Sequence, residues 1–168
     1  MERFTTIELS KEYLKFSASH FTIFSATERE RLHGHNFAVS AKIVAPIDDN
    51  GLCFSYGELK KTIAALCADW DEYMLIPTRS PFLSIEELDT EYRLTFNGET
   101  MHFLKSDCLL LAIRNTTVEE FAGLMLERLL KDPAIIKYYV RQIEMRVSSG
   151  PGQWGSCEWQ APPPHSTT

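Results

Sequence analysis

Five histidines occur in the 168 residues, and three of them, His20, His33 and His35, fall within 16 positions. His33 and His35 are two apart in an alternating stretch, so on a strand both imidazoles project from one face. Such a pair alone is ordinarily exposed polar surface. His20 changes that reading, because it closes a preceding extended segment that can pair with this strand. Three neutral imidazoles from two adjacent strands make a three-coordinate site. Zinc suits such a set and keeps its fourth tetrahedral position open, the pattern of catalytic rather than structural zinc. Gly34, between the pair, leaves room beside the imidazoles. His102 and His165 stand apart from the cluster and read as incidental.

The elements that must hold these residues follow from periodicity. Residues 4–9 read as a first strand. Residues 13–21 continue extended, with Phe16, Ala18 and His20 on one face. Residues 33–43 alternate, placing His33, His35, Phe37, Val39, Ala41 and Ile43 together. A helix is predicted over 56–70 from the stripe Leu59, Ile63, Leu66, Trp70. Asn97-Gly98 between 92–96 and 100–104 predicts a hairpin. A second helix is predicted over 117–130, ended by Asp132-Pro133. Residues 139–147 and 153–159 read as strands joined by the Gly150-Pro151-Gly152 turn. Strands joined by tight turns with separate helices predict an α+β domain with an antiparallel sheet. Its strict alternation leaves one face wet or against another subunit.

Length sets a prior of one domain, 1–160, followed by the Pro-rich tail 161–168. Hydrophobic residues at 44% and charged residues at 24% are ordinary for a globular chain, which argues against disorder. The net charge of −6 lacks the basic footprint of a nucleic-acid binder. No apolar run approaches the ~20 residues that span a bilayer. The opening MERFTTIELS has no apolar core of a secretory signal. Cys53, Cys67, Cys108 and Cys157 form no CxxC pair and read as reduced thiols of a cytoplasmic protein.

Phe16-Ser-Ala-Ser-His20 followed by His33-Gly-His35-Asn-Phe37 resembles the zinc motif of the 6-pyruvoyl tetrahydropterin synthase and 6-carboxytetrahydropterin synthase family. The resemblance continues in order through Gly57-Glu-Leu-Lys60, Trp70-Asp71-Glu72-Tyr73-Met74-Leu75 and Asn115-Thr-Thr-Val-Glu119. It covers the chain except the 80–108 insert and the tail. It implies the tunnelling fold (T-fold), with a four-stranded antiparallel sheet, two helices on one face and here a hairpin insert. It implies edge-to-edge assembly into trimers or hexamers. It also implies a zinc-dependent lyase with Zn2+ on His20, His33 and His35. The substrate class would be a reduced pterin, 7,8-dihydroneopterin or its triphosphate, altered at its side chain.

The chain departs from the family pattern where acid–base chemistry is done. A Cys precedes the H-G-H in the family's synthases, whereas Thr27-Glu-Arg-Glu-Arg-Leu32 stands here. Of the family's Asp-His pair, Asp71 is kept and Glu72 replaces the His. The family's C-terminal Glu, which holds the pterin edge, aligns with Ser148. Glu30 is the substitute base that the resemblance suggests, since some members carry Glu before H-G-H and resemble aldolases that leave a hydroxymethyl group. Such a role would be helped by burial raising the Glu30 pKa toward neutrality. Glu28 is the rival, and both fit a solvated charged loop. Asp71 and Glu72 fit a relay or helix-terminal charge. Thr117 and Glu119 lie where the family holds the pterin, yet Thr116-x-x-Glu119 and Thr117-x-x-Glu120 each fit a capping box. Glu119 or Glu158 would supply the carboxylate missing at Ser148. A zinc-containing pterin- or purine-binding homologue without catalysis is the alternative function.

Overall fold

The computed structural model describes residues 3–162. The order of elements is β1 (Phe4–Leu9), β2 (Lys15–His20), β3 (His33–Pro46), α1 (Tyr56–Ala68), β4 (Tyr73–Pro77), β5 (Ser84–Glu87), β6 (Glu91–Phe96), β7 (Glu99–Leu104), β8 (Cys108–Leu111), α2 (Val118–Leu129), α3 (Ala134–Lys137), β9 (Gln142–Gly150) and β10 (Gln153–Gln160). The tail beyond 162 and His165 lie outside the described residues. Among the described residues no helix is long and apolar enough to cross a membrane.

The α+β class is as predicted, and the four antiparallel strands are present as β10-β9-β3-β2. The sheet is larger and mixed, however. β2 pairs with β4 in parallel, β4 pairs with β8 in parallel, and β1 pairs with the second half of β3, giving seven strands. The two parallel strands read as short unalternating apolar runs, Met74-Leu-Ile and Leu109-Leu-Leu. β4 is buried along nearly its whole length, and a strand buried on both faces loses the period-2 signal, whereas the apolar run of β8 hides an alternation in which Leu110 is exposed. β3, with 14 residues, is long enough to take β2 along its first half and β1 along its second, while β9 covers its other edge.

Both long helices pack on one face of this sheet. Phe37, Val39, Ala41 and Ile43 of β3 are fully buried against Phe121 and Met125 of α2 and Ile63 of α1. An aromatic group closes the core under the histidines. Phe16 stacks on Phe37 at 4.9 Å, Phe121 meets Phe37 edge-on at 5.2 Å, and Trp70 meets Phe121 at 5.5 Å. Edge-to-face pairs of this kind add roughly 0.5–1.5 kcal/mol each beyond burial, so this floor is rigid.

The insert is a three-stranded antiparallel sheet, β5-β6-β7, rather than one hairpin. Asn97 and Gly98 both have positive φ, 48° and 78°, as the predicted Asn-Gly turn requires. The insert has its own apolar core. Leu83, Leu94 and Phe96 bury against Phe21 and Ile23, which follow β2, and against Met74 and Ile76 of β4.

Candidate active site

Register brings the histidines together. His20 is opposite His33 in the β2–β3 ladder, and the same strands place Phe16 opposite Phe37 as the floor below. The ring nitrogens of His20, His33 and His35 nearest one another all lie within 4.8 Å. His20 Nδ1 donates to the Thr116 carbonyl at 2.8 Å, because a carbonyl oxygen only accepts. That fixes the tautomer and leaves His20 Nε2 with a bare lone pair. This atom is buried and has no hydrogen-bond partner. His33 repeats the pattern, with Nδ1 donating to Arg31 O at 2.6 Å and Nε2 lying 3.0 Å from His35 Nε2. Around one tetrahedral zinc, nitrogens at ~2.0–2.1 Å would stand about 3.3 Å apart. The donor set, the fixed tautomers and the orphaned Nε2 therefore fit a zinc ion, with backbone carbonyls as outer-shell orienting groups. Burial lowers the His20 pKa despite the Thr116 hydrogen bond, which keeps the imidazole in its ligating neutral form.

The cluster forms one end of a cleft of about 720 Å3. Its walls include Thr22, Glu30, Asn115, Thr117, Glu119, Ser149 and Gln153. Glu30 is held beside the imidazoles by its own loop. Its N–H donates to Thr22 O at 2.8 Å, its carboxylate accepts from Thr22 N at 3.0 Å, and Oε2 lies 3.9 Å from His33 Nε2. Burial pushes its pKa up, but the Thr22 hydrogen bonds and the charges of His33 and His20 outweigh this. The carboxyl sits below its ordinary value, so the rise toward neutrality that would have helped a base is not present. Glu30 is thus ionised at pH 7 and can accept a proton. Glu28 is exposed and is not part of the cleft wall.

The start of α2 forms the facing wall. Thr117 is the N-cap, its hydroxyl accepting from Glu120 N at 3.5 Å. Thr116 does not cap, since its hydroxyl donates to Phe21 O. Glu120 accepts from Arg114 N at 2.8 Å instead of closing the box. Glu119 is thereby free of any capping duty and lines the cleft. Gly155 of β10 permits this placement. A Cβ there would lie 2.8 Å from Val118 Cγ2 and 2.9 Å from Glu119 N. Glu158 is three residues further along β10, outside the cleft wall.

Three predicted site residues are elsewhere. Asp71 accepts from Ser17 N at 2.6 Å, and Glu72, with φ 64°, donates its N–H to Ser17 O at 2.7 Å. Together they latch the chain after α1 onto β2, outside the cleft of the same chain. Ser148 is buried, and its hydroxyl is engaged with the Gly150 backbone in the β9–β10 turn. No cysteine lines the cleft. Burial raises Cys53, and raises Cys67 to about 12 and Cys108 to about 11, so none of these is a ready thiolate.

Asn115 is the residue that sequence reasoning missed. Its side-chain oxygen accepts from Ile23 N at 3.0 Å, and its amide donates to Ile23 O at 2.7 Å, pinning the start of the Glu30 loop to the start of α2. Its position just before two threonines that each offer a cap to α2 was the available signal.

A family model described as 6-pyruvoyl tetrahydropterin synthase matches residues 8–159. No curated protein matches the chain. Among solved structures, 6-pyruvoyltetrahydropterin synthase of Plasmodium vivax is 26% identical, with a TM-score of 0.90 over 95% of this chain and 99% of that one. A variant of the Plasmodium vivax protein, described as a catalytic-residue mutant with glutamate changed to alanine, is 25% identical over the same shares with a TM-score of 0.90. The Caenorhabditis elegans 6-pyruvoyl tetrahydropterin synthase is 15% identical over 95% of this chain and 97% of its own, with a TM-score of 0.56, a likeness of fold alone. The match of the family model across nearly the whole described chain, on the fold and histidine cluster given above, means that this protein belongs to the 6-pyruvoyl tetrahydropterin synthase family.

Proposed function

We propose that the protein is a zinc-dependent lyase acting on the side chain of a reduced pterin, 7,8-dihydroneopterin or its triphosphate. The observation that carries this reading is the ionised Glu30 carboxylate 3.9 Å from His33 Nε2, in the same cleft as the three-imidazole cluster. His20, His33 and His35 would hold the zinc, which supplies Lewis-acid charge stabilisation beside the substrate's hydroxyl groups when bound. Glu119 faces the same cleft, and a carboxylate accepting two hydrogen bonds suits the adjacent N–H donors of a pterin edge. Thr117, the N-cap of α2, lines the same cleft. Asp71 and Glu72 stay outside the cleft of one chain, so their relay role belongs to an assembled oligomer, a trimer or hexamer. There a neighbouring copy would bring the same pair to the cleft. The exposed Phe24, Leu32 and Trp154 and the outer edges of β8 and β10 are surfaces that such assembly would cover.

Within this class, cleavage to 6-hydroxymethyldihydropterin is favoured over the carboxy or pyruvoyl product by one feature. The cleft has a glutamate and no thiol, and a Plasmodium vivax relative carries a glutamate described as catalytic. Glu30 would take the proton of the 2′-hydroxyl as the C1′–C2′ bond breaks. The electron pair would pass into the ring imine, and a proton returned at C1′ would complete the hydroxymethyl product, with glycolaldehyde, or its phosphorylated form, released. Ionised Glu30 begins such a step in the correct state.

The test is incubation of zinc-loaded protein with dihydroneopterin and its triphosphate, with products read by mass spectrometry. Turnover that disappears in Glu30→Gln while zinc is retained supports the reading. Tight binding with no product from either pterin would overturn it in favour of a binding homologue.

A further inference from the structure

We infer that Arg29 is a positioning residue through which the tip of the β6–β7 hairpin sets the place of the Glu30 carboxylate. The inference rests on the reading of Glu30 as the base. It also gives the 80–108 insert a function beyond covering apolar surface.

The loop carrying Glu30 leaves β2 after His20 and returns to β3 at His33. Two of its sides are fixed by the start of α2, through Asn115 and Thr116, as described above. The remaining side meets the insert. Arg29 bridges Ile23 across the loop, and its guanidinium carbon sits 5.0 Å from the ring centroid of Phe21 and 5.7 Å from that of Phe96. Phe96 is the last residue before the Asn97-Gly98 turn, so it is the hairpin tip that reaches Arg29. From between these rings Arg29 Nη1 donates to the carbonyl of Glu30 at 2.8 Å, and Nη2 lies 3.5 Å from Glu99 Oε2 on β7.

The arrangement has the form of a clamp rather than a surface ion pair. The Arg29 side chain is 19% exposed, whereas Glu99 is 72% exposed, so the screened pair with Glu99 contributes little. The Arg29 Nε is buried without a partner, which leaves the packing between two aromatic faces and the bond to the Glu30 carbonyl to hold the group. That bond acts on the peptide unit immediately after the Glu30 Cα. Moving it rotates the Glu30 side chain relative to His33, and misplacement of a reacting group by ~1 Å can cost on the order of 100-fold in rate. A lysine lacks the fork that would span the Glu30 carbonyl and the two rings at once.

The test uses the full zinc-loaded chain with three variants. Arg29→Met keeps the apolar stem and removes the fork, Phe96→Leu removes the ring on the insert side, and Glu30→Gln is the reference. The expected result for Arg29→Met is kcat lowered roughly 10- to 100-fold, with KM changed less than about threefold and bound zinc unchanged. Phe96→Leu shifts kcat in the same direction by less. Combined with Glu30→Gln, Arg29→Met adds no further loss, because both act through one group. A second readout does not depend on turnover. Hydrogen exchange at the Glu30 and Thr22 amides should accelerate in Arg29→Met, with exchange in β3 and α1 unchanged. Unchanged exchange at those amides overturns the clamp. Accelerated exchange with unaltered kcat, where Glu30→Gln is inactive, overturns the positioning role. Full activity of Glu30→Gln instead removes the reading of Glu30 as base, and the exchange result then still decides whether Arg29 orders the loop.

Discussion

Gly155→Ala is the most specific perturbation of the cleft that touches none of its chemistry. The added methyl would meet Val118 Cγ2 at 2.8 Å and two backbone atoms, Glu119 N and Val118 C, at 2.9 Å. Ordinary carbon contacts lie near 3.5–4.0 Å, so the first turn of α2 must retreat by about 0.5 Å or more. Backbone at a helix start cannot step aside as a side chain does. Overpacking of this kind costs roughly 1–3 kcal/mol, and at ~2–4 °C per kcal/mol for a chain of this size Tm should fall by about 2–12 °C. The retreat carries Glu119 away from a pterin edge. Loss of about half of two charge-assisted hydrogen bonds is ~1.5–3 kcal/mol, or about 10- to 150-fold in KM, with kcat and zinc content little changed. The assay is steady-state kinetics on dihydroneopterin alongside a thermal melt and elemental analysis. A melt lowered as expected with KM unaltered would show that Glu119 does not anchor the pterin. An unchanged melt would refute the packing argument itself.

In the metal-free protein, burial lowers the His20 pKa below its ordinary value near 6.5. The stability this group contributes is present above the unfolded value and lost as pH falls through the folded one. The urea midpoint should therefore be flat above pH 7 and decline below about pH 6.5, and His20→Gln should blunt that decline. Glu30 is also lowered, so its contribution is lost in a separate window below pH 4.5. Ser148→Ala removes the hydroxyl that ties Gly150 in the β9–β10 turn, and should cost ~1–2 kcal/mol in denaturant with KM unmoved. A raised KM would return Ser148 to the substrate. Asp71→Asn weakens the acceptor for Ser17 N, so the melt should drop by a few degrees. Mixed oligomers of Asp71→Asn and Glu30→Gln chains should recover turnover, because a neighbour's intact Asp71 would complete a cleft with an intact Glu30, whereas turnover no higher than that of the parent variants would refute a cleft completed by a neighbour's Asp71.

The antiparallel half of the fold and the histidine cluster were legible because alternation is a strong local signal. The sequence alone sets the segment ending at His20 beside the strand of His33 and His35, since each lies on an alternating face that also holds the core aromatics. β4 and β8 were not legible as parallel strands, because Met74-Leu-Ile and Leu109-Leu-Leu show no alternation and their pairing is set by tertiary contact. Neither was the choice between two overlapping capping boxes. Thr116 and Thr117 offer the same hydroxyl, and only the path of Phe21 beside Thr116 decides which one caps. The lowered pKa of Glu30 was not legible for a similar reason. Burial was the visible influence in the sequence, while the opposing Thr22 N–H is eight residues away and aligned by the loop. Asn115 and Arg29 act on backbone rather than on substrate, and a sequence does not mark which carbonyl or amide a side chain will reach.

The measurement that bears most directly on the central claim is zinc per chain by elemental analysis, in the wild type and in His33→Ala. Three clustered imidazoles, two of them (His20 and His33) with tautomers fixed by backbone carbonyls, and an orphaned His20 Nε2 predict one zinc per chain in the wild type and its loss from the variant. Full occupancy in His33→Ala, or no zinc in wild-type protein supplied with the metal, would contradict the ligand set on which the rest is built.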